Sequence, residues 1–226
     1  MFKLKIKIRT STIVCIIAIL IFLIFLCKYI FNQYIIYKTE QTYNILRKAY
    51  TETVKTANFD WERGKVNNDI FAKAFIKNLP IKYDCGYSIE NKCFPNTINF
   101  QRPLEYFDIN SVSIPKYYKV KLKNNVGIAF TLLDPTCGMI RGRCGTIFTD
   151  INGSQNGPNK FGEDLYDFSI DKTDITLYPL QASHLTRCVY GTGQGCAAYM
   201  FRFRNRNYKS LTPQKAEKLG LNLTRP

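Results

Sequence analysis

The sequence predicts an α+β protein: a long N-terminal helix, half membrane-spanning and half amphipathic stalk, packed on a small antiparallel β-sheet head with disulfide-stapled loops. Three observations predict it. Ser11 to Cys27 reads S-T-I-V-C-I-I-A-I-L-I-F-L-I-F-L-C, seventeen residues without a charge. The apolar period then changes from steps of three and four to alternation by two, which is the change from helix to strand. Beyond residue 80 stand six cysteines in three local pairs, the pattern of a stapled exported domain.

The apolar run comes first. A bilayer's hydrocarbon core needs roughly 20 apolar helical residues. Ile13 to Phe31 is long enough if Lys28 carries its charge out to the headgroups. A core helix of a soluble protein would keep one polar face, and this run has none. Lys3, Lys5, Lys7 and Arg9 precede it without an acid. The positive excess therefore keeps the N-terminus in the cytoplasm and sends the C-terminal bulk across. The run ends F-L-C-K-Y-I-F-N-Q-Y-I-I-Y, with no small-residue cleavage site, so an uncleaved single-pass anchor is expected. The expected organisation is 1–10 as a cytoplasmic basic segment, 11–31 as the transmembrane helix, 32–79 as helical stalk and second helix, and 80–226 as an exported globular head with a basic C-terminal tail.

Over Lys38 to Phe59, Tyr43, Leu46, Tyr50, Val54 and Ala57 form one apolar stripe, so the helix continues out of the membrane with that stripe on the head. Val66 to Leu79 repeats the pattern with Val66, Ile70, Phe71, Ala74, Phe75 and Leu79, and Pro80 stops it. Trp61 in the link reads as a core anchor. Residues 81–115, with Cys85, Cys93, Pro95 and Pro103, read as an irregular stapled loop. Tyr117 to Lys123 alternates, Asn124-Asn125 turns, and Gly127 to Leu133 returns as the partner strand. Gly145 to Ile151 is a further strand. Ala197 to Phe203 reads as the last, with Tyr199, Phe201 and Phe203 on one face and Arg202 and Arg204 on the other. Helices followed by antiparallel strands place the helices on one face of a sheet.

Formal net charge is +15, from 32 basic and 17 acidic residues. It is uneven. Asp150 to Asp174 holds six acids against two lysines, and Arg202 to Arg225 holds seven basic residues against one acid. The head thus carries an acidic loop and a basic tail. Cys15 and Cys27 lie in the apolar run and serve as small apolar residues. The other six favour the sequential bridges Cys85–Cys93, Cys137–Cys144 and Cys188–Cys196, each closing a short loop and contributing roughly 2–3 kcal/mol. Zinc is the rival reading, but zinc prefers C-x-x-C pairs and the chain has none.

Three candidate sites follow. Asp150, Asn152, Asn159, Glu163 and Asp164 bring hard oxygens to one Gly- and Pro-punctuated loop, the donor set that calcium takes in a structural role. The competing reading is a polar turn in which Asn, Gly and Pro serve only the backbone. Arg202, Arg204, Arg206 and Lys209, interleaved with aromatics, form a candidate contact for an anionic partner: nucleic acid, anionic lipid or an acidic protein. His184, four residues from Cys188, is the sole histidine. A nucleophilic pair there would need a free thiolate, and Cys188 has Cys196 as its partner. With no phosphate loop, G-x-S-x-G or H-E-x-x-H in the chain, neither an enzyme nor a small-molecule substrate is expected.

The segments K-L-K-N-N-V-G-I-A-F, C-G-T-I-F-T-D-I-N-G-S-Q-N-G-P-N-K-F-G-E-D-L-Y-D-F and G-C-A-A-Y-M-F, set behind a membrane helix and stalk, resemble the type IV pilin and type II secretion pseudopilin family. The loop that carries the likeness contains Asp150, Asn152, Gly153, Gly157, Pro158, Asn159, Gly162 and Asp164. The resemblance covers roughly residues 11–205. It is specific at 145–168 and architectural elsewhere. It implies a subunit or accessory factor of a bacterial secretion or pilus apparatus, held in the inner membrane with its head periplasmic or extracellular. Such a subunit acts through helix packing and head-to-head contacts with similar subunits. A family member's leader ends in glycine and its membrane helix carries an early glutamate. Here R-T-S-T-I-V-C-I has neither, and no acid precedes Glu40. That departure points to an accessory or diverged member. The alternative is a stand-alone tethered binding module whose basic C-terminal strand meets DNA, an anionic surface or an acidic partner.

Overall fold

The structure, a computed structural model, describes residues 10–61, 63–101, 106–111, 116–138, 142–178 and 182–221. The basic residues Lys3, Lys5, Lys7 and Arg9, and Arg225 at the end of the tail, lie outside the described residues.

The first element is α1, Thr10–Ala57, one unbroken helix of 48 residues. Its lower half is bare: the large apolar side chains from Ile13 to Phe31 are 40–67 % exposed. This half is long and apolar enough to cross a membrane. Burial begins at the next turn, where Ile35 and Ile36 are covered, and continues through Leu46, Ala49 and Tyr50. The stalk is thus continuous with the apolar run, and its stripe is the inner side of the core. Thr39, Thr42 and Thr53 are fully buried on this face. Each hydroxyl donates to the carbonyl four residues back, at 2.7–2.8 Å, so no polar group is stranded against the sheet.

After Trp61, buried as expected, comes α2, Asn68–Ile76. It is shorter than the apolar pattern suggested. Asn67 caps it, accepting from the Ile70 amide at 2.9 Å, which fixes its start two residues inside the pattern. Ile70 faces out at 48 % exposure, while Phe71 and Phe75 point in.

The head is built on a six-stranded antiparallel sheet. Its strands are β1 (Ile81–Gly86), β4 (Tyr118–Leu122), β5 (Gly127–Leu132), β6 (Arg143–Asp150), β7 (Leu165–Asp171) and β8 (Ile175–Thr176), in the spatial order β1-β4-β5-β6-β7-β8. A two-stranded ribbon of β2 (Thr97–Asn99) and β3 (Tyr106–Asp108) stands apart from it. Asn124-Asn125 turns β4 into β5, with Asn125 at φ 71°. On one face Val120, Ile128, Phe130, Ile147, Tyr166, Phe168 and Ile170 pack against α1 and α2. Tyr50, Phe71, Phe75 and Phe130 form its aromatic centre, with Phe75 edge-on to Phe130 at 5.3 Å between centroids. On the other face Phe94, Ile98, Ala129, Phe148, Phe161 and Leu165 make a second core.

The chain ends in a helical cap: α3 (Ala182–Tyr190), α4 (Cys196–Phe203), a 3-10 turn (Asn207–Ser210) and α5 (Pro213–Lys218). It has a core of its own in Leu185, Val189, Tyr199, Tyr208, Leu211 and Ala216.

Three expectations are corrected. Residues 81–115 contain β1, β2 and β3, not only loop. Ala197–Phe203 is helix, because Ala197, Met200 and Phe201 face the stalk core while Cys196, Tyr199 and Phe203 face the cap, both at helical spacing. Alternation by two among Tyr199, Phe201 and Phe203 is a by-product of a helix buried on two sides. The segment 165–171, taken as part of an acidic loop, is strand β7. The three sequential disulfides are as expected: Cys85–Cys93, Cys137–Cys144 and Cys188–Cys196.

Candidate functional site

The acidic loop hangs between two central strands. Asp150 is the last residue of β6, paired with Gly127 on β5 and Leu165 on β7, so it is walled in on both sides and fully buried. Its Oδ1 accepts from the Gly153 amide at 3.1 Å. Gly153 sits at φ 92°, and a Cβ there would meet the Asn125 side-chain nitrogen at 2.9 Å, so the turn requires glycine. The chain then runs through Pro158, and Asn159 adopts φ 51°. Asp164 closes the loop from the far end. Its two oxygens accept from the amides of Asn159 at 2.9 Å and Lys160 at 2.7 Å. Asn152 Nδ2 donates to the Gly157 carbonyl at 3.2 Å.

This arrangement leaves oxygens over. Asp150 Oδ2, Asn152 Oδ1 and Asn159 Oδ1 are buried, and each lacks a hydrogen-bond donor. Burial, with the Asp164 charge adding to it, pushes the Asp150 carboxyl up to about 7. Burial also raises Asp164, against the pull of its backbone donors. Two neighbouring buried carboxyls and three orphaned oxygens are a donor set short of positive charge. The residues fit a hard divalent cation that takes carboxylate, amide and backbone oxygens. Among the described residues no three His, Cys, Asp or Glu side chains gather as a metal-holding group, so amide oxygens would have to supply much of the shell.

Glu163 is placed differently. Its carboxylate takes Lys209 at 2.5 Å and Lys160 at 3.6 Å. Burial would raise its pKa, but Lys209 and Lys160 overcome that and hold it below the usual carboxylate value. The side chain is engaged with the lysine of the tail and with Lys160, and not with the oxygens of Asp150 and Asp164.

The four basic residues of the candidate anionic contact are also dispersed. Arg204 pairs with Glu40 of α1 at 2.5 Å, and Lys209 with Glu163. Arg206 turns inward, donating to Asn32 Oδ1 at 3.2 Å and to the Glu163 carbonyl at 2.5 Å. Arg202 stays exposed, its guanidinium 5.3 Å from the centroid of the Phe203 ring. Three of the four thus clamp the tail to the stalk and the loop, a role that sequence spacing did not reveal. Their partners are 43–174 residues away.

Asp167 is a further buried carboxylate. It accepts from the Gly195 amide at 2.8 Å and lines a cavity of about 70 Å³ with Arg143, Tyr178, His184, Arg187 and Gln194. Burial pushes it up to about 6, ahead of the opposing Gly195 hydrogen bond and guanidinium fields. Cys188, beside His184 in sequence, is held in its disulfide with Cys196 and offers no thiolate. Comparison with family models, curated proteins and solved structures gave no match to this chain.

Proposed function

We propose that this chain is a pilin-like, membrane-anchored subunit or accessory factor of a secretion or pilus-type apparatus, acting through packing of its helix and contacts of its head. One observation supports the reading above the others. In α1 a single unbroken helix is bare and apolar from Ile13 to Phe31 and is the spine of the head's core from Ile35 onward. A rigid join of that kind makes any helix–helix association in the membrane fix the spacing of the heads outside it. The lysines and arginine before residue 10 favour a cytoplasmic N-terminus and a head on the outer face of a bacterial inner membrane. The loop at Asp150, Asn152, Asn159 and Asp164 is proposed to bind calcium in a structural role, neutralising two buried carboxyls between β6 and β7. Glu163, engaged with lysines, is left out of that set.

The reading as a tethered module that grips DNA or an acidic protein with its last strand has less support. That segment is α4, and Arg204, Arg206 and Lys209 are engaged inside the molecule.

Cys15 and Cys27 supply the test, since both are free and exposed on the apolar half of α1. Oxidative cross-linking of the full chain in membranes is expected to trap dimers through one of them. The product should vanish in Cys15→Ala/Cys27→Ala. A chain that stays monomeric under oxidation, with a monomer's native mass in mild detergent, would rule out self-association.

A further inference from the structure

The cap is the part of the head that meets α1 first above the apolar run. Arg206 reaches Asn32, Gln33 donates to the Arg204 carbonyl at 3.4 Å, and Arg204 pairs with Glu40. Higher on α1 come Tyr43 with the Ile175 carbonyl of β8, Tyr50 with the Asp171 carbonyl of β7, and Thr53 with Asn78 beyond α2. Along the stalk the order is cap, sheet, α2.

The height of the cap follows from helix geometry. Ile13 to Phe31 at 1.5 Å per residue spans about 28 Å, close to the hydrocarbon thickness of about 30 Å. Asn32 and Gln33 then stand within about 3 Å of the hydrocarbon edge, inside a headgroup layer roughly 5–8 Å deep. Tyr29, Tyr34 and Tyr37, all more than half exposed, bracket that edge as interfacial aromatics do. The segment that links α4 to the 3-10 turn, which supplies Arg204 and Arg206 to these contacts, is therefore at headgroup height.

The cap is also charged for that position. Arg202 to Lys218 holds six basic residues and one acid, Glu217. Arg204, Arg206 and Lys209 are engaged within the molecule. Arg202, Lys215 and Lys218 are exposed and have no carboxylate partner among the described residues. Glu40 and Glu163 thus neutralise Arg204 and Lys209, Arg206 is held by neutral oxygens, and the outer charges of the tail face solvent.

We propose that the α3–α5 cap docks on anionic lipid headgroups of the membrane that α1 crosses, with Arg202, Lys215 and Lys218 supplying the attraction. Docking would fix the tilt of the head and cover the cap. The inference rests on the membrane-anchor part of the proposed function and does not need assembly with other subunits.

Hydrogen exchange on the full chain tests it, in nanodiscs of phosphatidylcholine alone and of phosphatidylcholine with phosphatidylglycerol. Peptides from Ile13–Phe31 should be protected in both discs, which checks the anchor separately. Peptides from Cys196–Lys218 should exchange several-fold more slowly in the anionic discs. That extra protection should disappear at about 1 M salt, where the screening length falls to about 3 Å. It should also disappear in Arg202→Gln/Lys215→Gln/Lys218→Gln. Equal exchange of the cap in the two native samples overturns the proposal without reference to any variant. So does protection that appears only when duplex DNA or polyglutamate is added to the neutral discs, which would assign the surface to a macromolecular partner.

Discussion

Asp167→Asn should make the protein more stable at neutral pH, although it removes a buried acid from a site with two arginines nearby. Asp167 lies on β7 with its side chain almost wholly buried, and its carboxylate accepts from the Gly195 amide at 2.8 Å. Burial dominates and lifts its pKa from 3.8 to about 6. That difference is about 3 kcal/mol at 1.36 kcal/mol per pH unit. The sign follows from proton counting. The native state holds the proton more tightly than the unfolded chain, so this group favours the fold fully below about pH 4. Its contribution is lost as pH rises to about 6 and then stays lost. Asparagine keeps an oxygen for the Gly195 amide and cannot ionise. Urea unfolding of the full chain in detergent with chelator, followed by the single tryptophan, Trp61, reads the effect. The two proteins should differ little at pH 4, and the variant should be more stable by up to about 3 kcal/mol at pH 7.5. Parallel pH profiles would refute the reasoning. A variant that is weaker at pH 7.5 would mean that Arg143 and Arg187 outweigh burial.

Calcium at 100 times its dissociation constant would stabilise the head by about 2.7 kcal/mol. That is a rise of several degrees in Tm, expected to be absent in Asp150→Asn; an unchanged Tm at millimolar calcium would dismiss the site. Arg206→Met removes a half-buried guanidinium from Asn32 and the Glu163 carbonyl, and should cost about 2–3 kcal/mol in urea unfolding. Arg202→Gln, at an exposed position, should stay within about 0.5 kcal/mol of wild type. Phe75→Ala empties a fully buried place among Tyr50, Phe71 and Phe130 and should lower stability by about 3–5 kcal/mol by the same measurement.

Elements whose pattern is set by a single environment were legible in the sequence. The apolar run and the stripe Tyr43–Leu46–Tyr50 each answer to one environment, and the hairpin, although β5 is buried on both faces, was marked by its Asn124-Asn125 turn. Two elements packed on both sides without such a mark were not. Strand β7 reads L-Y-D-F-S-I-D, alternating from Tyr166 onward, yet Asp167 and Ser169 on its polar side are buried too. Its acids suggested an exposed loop because carboxylates are seldom enclosed. Helix α4 erred in the opposite sense: apolar on two sides, it showed a chance period of two. The register of β1 against β4 slips twice, at Ile81/Tyr83 and Asp84/Gly86, which breaks the alternation that would have announced a strand.

The same distinction explains how much of the site was legible. Asp150, Asn152, Asn159 and Asp164 are joined by one short loop, so residue types and glycine positions sufficed to group them. Glu163, one residue from Asp164 in the turn that leads into β7, has the opposite destiny, because that turn aims the two side chains at different partners. Asp164 turns to the amides of Asn159 and Lys160 inside the loop, while Glu163 meets Lys209 of the tail. The Glu163 carbonyl takes Arg206, and Arg206 takes Asn32 at the foot of the stalk. Acidic loop, basic tail and apolar helix, three separate features by composition, are therefore tied together at two adjacent residues. The opposed charges of loop and tail serve first to hold this chain's own end against its anchor, and only the arginine and lysines left over are available to anything outside it.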